Sequence, residues 1–63
     1  MNVYEVIASV GDTEIFRDDF YAATAESAKY QAYQVIYEND PYHNPYLADS
    51  DITYKVIFLY RED

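Results

Sequence analysis

The chain has 63 residues, twelve acidic against four basic side chains for a formal net charge of −8, nine tyrosines, and neither cysteine nor tryptophan. A chain this short builds one domain, buries only about 60% of the surface its unfolded form exposes, and leaves no room for an enclosed active-site cavity. Without cysteine there is no disulfide staple and no thiolate metal site, and the acidic surplus repels phosphate backbones and anionic lipid, which excludes direct nucleic-acid binding.

Disorder is excluded as well. With 51% hydrophobic and 19% aromatic residues, the chain lies outside the low-hydrophobicity, aromatic-poor composition of unfolded segments. Residues 1–63 are therefore read as a single small acidic domain. The opening Met1-Asn2-Val3-Tyr4-Glu5 carries no basic or apolar leader pattern, and no run approaches the roughly 18 apolar residues of a membrane helix. The expectation is a soluble protein acting in a reducing cytoplasm.

In chain order, Asn2 to Val10 is β-branched and aromatic and stops at Gly11-Asp12, a dipeptide suited to a tight turn. It predicts the first strand. Glu14 to Ala22 places Phe16 and Phe20 on one alternation and Ile15 and Tyr21 on the other, which predicts a second, antiparallel strand in which Asp18-Asp19 either continue the ladder or form a bulge. Thr24 then precedes a run rich in alanine, lysine and glutamine, predicting a capped helix from Ala25 to Glu38 that is ended by Pro41. Asn39 to Ser50 reads as a loop, and Asp51 to Arg61 is the strongest strand signal. The order β-β-α-β predicts a two-layer α+β domain, a three-stranded antiparallel sheet of order 2-1-3 with one helix on one face.

At 100° per residue, Ala25, Ala28, Ala32, Val35 and Ile36 share one side of the helix and form its core face. Tyr30, Tyr33 and Tyr37 fall on the opposite side with Glu26. They either fill the edges of a small core or form a contact ridge, since tyrosine offers large area at small rotamer cost. With Tyr4, Val6, Ala8, Val10, Tyr54, Val56 and Phe58 facing the helix, the back of the sheet carries Val3, Ile7, Ile57, Leu59 and Tyr21 among Glu5, Arg17 and Lys55. That face is either an imperfect surface or a self-association interface giving a homodimer.

The topology gathers Asp12, Glu14, Glu38, Asp40, Asp49 and Asp51 at one end of the domain. Glu38 and Asp40 lie at the negative end of the helix dipole, where a cation would be favoured, so this acidic pole opposes stability. It is either a solubilising rim or a surface for a basic partner. Asp49-Ser50-Asp51 with Asp40 lacks the glycine and terminal glutamate of a calcium loop, so no metal is expected. His43 has no nucleophile or second base for company, the paired carboxylates have no cleft, and Gly11 is the only glycine, so no catalysis, phosphate loop or cofactor is expected.

What remains is a non-enzymatic module that recognises protein through an acidic, tyrosine-rich surface. In size, charge and tyrosine content the chain resembles small phage-encoded inhibitors of the anti-CRISPR and anti-restriction type, in which spaced carboxylates imitate DNA phosphates. The resemblance spans the whole chain as composition and carries no motif. It implies an inhibitor from a phage or other mobile element that occupies the basic, nucleic-acid-binding surface of a host protein. The alternative from another class is a small structural or assembly protein that homo-oligomerises through the exposed sheet face.

Overall fold

The computed structural model of the protein describes residues 1–39 and 52–62. Its elements are β1 (Asn2–Val10), β2 (Thr13–Ala22), α1 (Ala25–Asn39) and β3 (Ile52–Arg61). Gly11 takes a φ of 59°, the positive value that a two-residue hairpin loop requires and that a side chain would strain. β1 pairs antiparallel with β2 on one side and with β3 on the other, so the sheet order is β2-β1-β3 and the fold is α+β, as the sequence predicts. Beyond the last strand pair, Met1 N donates to Glu62 O and Glu62 N to Met1 O, both at 2.8 Å.

Partners in an antiparallel ladder share a face. Tyr4 lies between Phe20 and Phe58, Val6 between Asp18 and Val56, and Ala8 between Phe16 and Tyr54. This is the face that α1 covers. Tyr4, Val6, Ala22, Ala28 and Ala32 form the buried cluster, with Phe16, Phe20, Tyr54 and Val56 packed against it. Thr24 starts the helix: its carbonyl accepts the first helical bond from Ala28 N at 3.1 Å, and its Oγ1 accepts from Ser27 N at 3.1 Å, satisfying a first-turn donor that has no helical partner. Gln31 Nε2 donates to Tyr21 O at 2.9 Å and ties the helix to the end of β2.

Several details differ from the sequence reading. The helix runs one residue further, to Asn39, because nothing before Pro41 removes a donor. Its buried stripe is narrower than predicted: Ala28 and Ala32 are fully buried, Val35 and Ile36 are half-buried and Ala25 is exposed. A straight helix laid on a twisted sheet is closest only near its middle. Phe58 shares the helix face yet stays exposed, set edge-on against Tyr4 with centroids 5.8 Å apart and planes at 72°.

The bulges lie elsewhere. Asp18 and Asp19 sit in unbroken register opposite Val6 and Glu5, since carboxylates on an edge strand reach water without disturbing the ladder. The extra residues are instead Ile15, skipped between the Ala8–Phe16 and Ser9–Glu14 pairs, and Leu59, skipped between the Tyr4–Phe58 and Val3–Tyr60 pairs. Each insertion re-aims the residues beyond it. Past Leu59 it is Tyr60 that stands beside Val3 on the back face, with Tyr21 on the other side. Among the described residues no helix is long and apolar enough to cross a membrane.

Alanine at the helix–sheet contact fixes the gap between layers. Ala32→Phe should overpack it and lower stability by roughly 1–3 kcal/mol, read from the chemical-denaturation midpoint. An unchanged midpoint would show that Ala32 does not set the spacing.

Candidate functional site

Two surfaces carry the residues singled out from the sequence. On the first, Asp12 is exposed in the hairpin loop, Glu14 is exposed at the start of β2 and Glu38 is exposed in the last turn of α1. Asp40, Asp49 and Asp51 lie outside the described residues. Glu14 is not a bare charge: Arg17 Nη2 and Nε donate to its Oε1 at 2.7 and 3.1 Å, and Arg17 Nη1 lies 3.6 Å from Glu5 Oε1. The hydrogen bond to Glu14, then the charges of Glu14 and Glu5, hold the guanidinium pKa above its ordinary value. One cation thus spans two strands and neutralises part of the hairpin end. Glu38 has no such compensation, because the last turn of α1 contains no basic residue.

The second surface is the outer side of α1. Tyr30, Tyr33 and Tyr37, spaced three and four apart, lie on one stripe and stack in series. Ring centroids are 6.2 Å apart for Tyr30–Tyr33 and 6.0 Å for Tyr33–Tyr37, with interplanar angles of 27° and 21°. Tyr30 is 60% exposed and Tyr37 59%, so the two ends of the stack are surface, while Tyr33 between them is half-buried. Beside it, Glu26, Lys29, Tyr30 and Tyr33 of the helix face Ile52 and Tyr54 of β3 across a shallow groove. Lys29 Nζ sits over the Tyr54 ring, 5.6 Å from its centroid.

The back of the sheet has a different character from its alternation pattern. Val3 is only 3% exposed, with Tyr21 and Tyr60 as its cross-strand neighbours. Ile7 and Ile57 are half-buried and Leu59 is 40% exposed. Polar side chains interrupt this face, since Ile7 pairs with Arg17 and Lys55, and Glu5 with Asp19 and Ile57. Of the large exposed apolar side chains among the described residues, Ile15 lies near the hairpin and Tyr30 and Tyr37 on α1, whereas Met1, Tyr21, Phe58, Leu59 and Tyr60 lie at the end remote from the hairpin. Simple alternation hid this cluster, because the Leu59 bulge decides which way Leu59 and Tyr60 point. The Phe58-Leu59-Tyr60 run was its only sequence signal.

The Tyr21 pKa is raised, first by hydrogen bonding to Glu62 and then by the charges of Glu62 and Tyr60. Among the described residues no group of three or more histidine, aspartate or glutamate side chains is placed to hold a metal ion. No protein-family model, curated protein or solved structure matches the chain.

Because the native state holds the Tyr21 proton more tightly than the unfolded chain does, its stabilising contribution is intact below the ordinary tyrosine pKa. It is lost as pH rises through the raised one. The difference in tyrosinate absorbance between wild type and Tyr21→Phe should place this ionisation above that of a free tyrosine. Glu62→Gln should move it down. A Tyr21 titration unaffected by Glu62→Gln would remove the assigned bond.

Proposed function

We propose that the protein is a non-enzymatic protein-binding module, an inhibitor made by a phage or other mobile element, that occupies a basic nucleic-acid-binding surface of a host protein in the host cytoplasm. The observation that carries this reading is a formal charge of −8 on 63 residues placed next to an exposed, ordered tyrosine stack. Exposed carboxylates steer the approach to a basic surface at long range, and the tyrosines supply contact area once the surfaces meet. Among the described residues the buried cluster is three alanines, one valine and one tyrosine, with no buried charged side chain, so the proposed recognition chemistry lies on the outside.

Asp12 and Glu38 are the carboxylates to test, because both are exposed and neither is neutralised by Arg17. The host protein is first retained from lysate and identified, and displacement of nucleic acid from it is then measured. Asp12→Lys/Glu38→Lys should weaken binding to that protein tenfold or more at low salt, an effect that fades as salt screens the charges. The same variant should gain roughly 0.3–1 kcal/mol of stability, since a lysine at position 38 suits the negative end of the helix dipole. Binding that survives the reversal and ignores salt would defeat the proposal.

The exposed cluster of Met1, Tyr21, Phe58, Leu59 and Tyr60 favours a second reading, a structural protein that self-assembles through this end and the adjoining back face around Ile57. Apolar association is indifferent to salt or strengthened by it. Sedimentation should then show a dimer or larger species that Ile57→Lys disperses. A wild-type monomer at high micromolar concentration would eliminate this reading.

A further inference from the structure

The partner surface can be specified by its side chains. Resting on the basic-partner reading above, we infer that the outer face of α1 is a receptor for arginine, with guanidinium groups lying on the exposed rings of Tyr30 and Tyr37 and with Glu26 and Glu38 as their counter-ions.

Four observations converge on this surface. Glu26, Tyr30, Tyr33 and Tyr37 occupy one stripe at helical spacings of four, three and four, so a carboxylate stands one turn before the first ring. The rings stack in series, which leaves Tyr30 and Tyr37, the two ends of the series, as its most exposed members. Among the described residues neither Glu26 nor Glu38 takes part in a salt bridge, and the last turn of the helix has no basic residue to meet the carbonyl end of its dipole. The same groove already holds one cation on an aromatic face, Lys29 over Tyr54. That ammonium repels a second cation from the groove floor and directs it outward onto the helix stripe.

Arginine fits this arrangement better than lysine. A guanidinium is planar and weakly hydrated, so it stacks on a ring while its edge N–H groups still bond a carboxylate in a fork. An ammonium is compact and strongly hydrated, and it answers mainly to the net charge. Single-stranded nucleic acid also stacks on aromatic rings, but its phosphates meet a chain of charge −8. The occupant is therefore an arginine-bearing segment of a protein.

The test uses an alternating Arg-Gly peptide, its Lys-Gly counterpart of equal length and a short single-stranded oligonucleotide, titrated at low salt while the tyrosine ring protons are followed by NMR. The Arg-Gly peptide should shift the Tyr30 and Tyr37 rings and bind roughly two- to fivefold tighter than the Lys-Gly peptide, the margin expected of a cation–ring contact at an exposed site. Tyr30→Leu/Tyr37→Leu should abolish that margin and leave the Lys-Gly affinity unchanged. Tyr30→Phe/Tyr37→Phe, which keeps the ring faces, should restore it. Circular dichroism checks the helix in each variant, and the Phe pair carries the comparison if the Leu pair loses helix content. Equal affinity for both peptides, unaffected by the tyrosine variants, would overturn the arginine site while leaving a charge-based basic partner standing. Ring shifts with the oligonucleotide would overturn it in favour of nucleic acid. Failure of both peptides to bind would remove the basic-partner reading and the arginine site together.

Discussion

The domain depends on how closely one helix can approach one strand. β1 is the central strand, and its Tyr4, Val6 and Ala8 are buried under α1. Ala28 and Ala32 let the helix backbone come near enough to exclude water from them. Small residues at this contact bring little apolar area of their own. They contribute by allowing Phe16, Phe20, Tyr54 and Val56 to close in from the flanking strands. Burial in so short a chain is scarce, which makes the spacing unforgiving: close packing leaves no slack to absorb an added ring.

The second constraint is charge. Twelve carboxylates cannot be paired by four basic residues, and the available cations are placed where two strands or two layers meet. Arg17 reaches both Glu5 and Glu14, and Lys29 joins helix to sheet over Tyr54. β3 contains no acidic residue at all, while β2 carries Glu14, Asp18 and Asp19. The two edges of the sheet are thus guarded differently. Carboxylates on β2 discourage pairing with another strand, and β3 relies on Lys55, Arg61 and the Leu59 bulge. Surface ion pairs of this kind add little stability individually. Among the described residues they leave Glu26 and Glu38 of α1 outside any salt bridge, the latter in a last turn that contains no basic residue.

Much of this was legible from residue patterns. The Gly11-Asp12 turn, the Thr24 cap and the period-two and period-3.6 patterns determined four elements and their order, because each rests on local backbone physics. The Tyr30, Tyr33 and Tyr37 stripe was legible for the same reason, though not that its rings stack, which depends on rotamers. What escaped is non-local. Nothing near Ile15 or Leu59 announces a bulge, because a bulge is set by how two strands match over their whole length. The neighbours of Val3 followed the same route, since the Leu59 insertion makes Tyr60 its cross-strand partner. Asp18-Asp19 looked disruptive on a strand alternation and proved compatible with an edge, a distinction that only the pairing partners make.

The core and the candidate surface are not independent choices along α1. Ala28 and Ala32 lie one turn apart on the inner side, and Tyr30, Tyr33 and Tyr37 occupy the outer side because helical periodicity places them there once the alanines are in. A rotation of the helix that buried the tyrosines would turn the alanines outward and open the gap over Val6. Packing therefore holds the ring stack at a fixed angle to the sheet, on a rigid element capped at its start by Thr24 and tied near its middle by Gln31. Rigid aromatic side chains projecting from a fixed helix lose little conformational entropy on contact, which is what lets a small surface bind at all. Opposed stripes of alanine and tyrosine thus give one helix two tasks. The inner stripe holds the domain together, and the outer stripe is left ordered and exposed beside the carboxylate of Glu26.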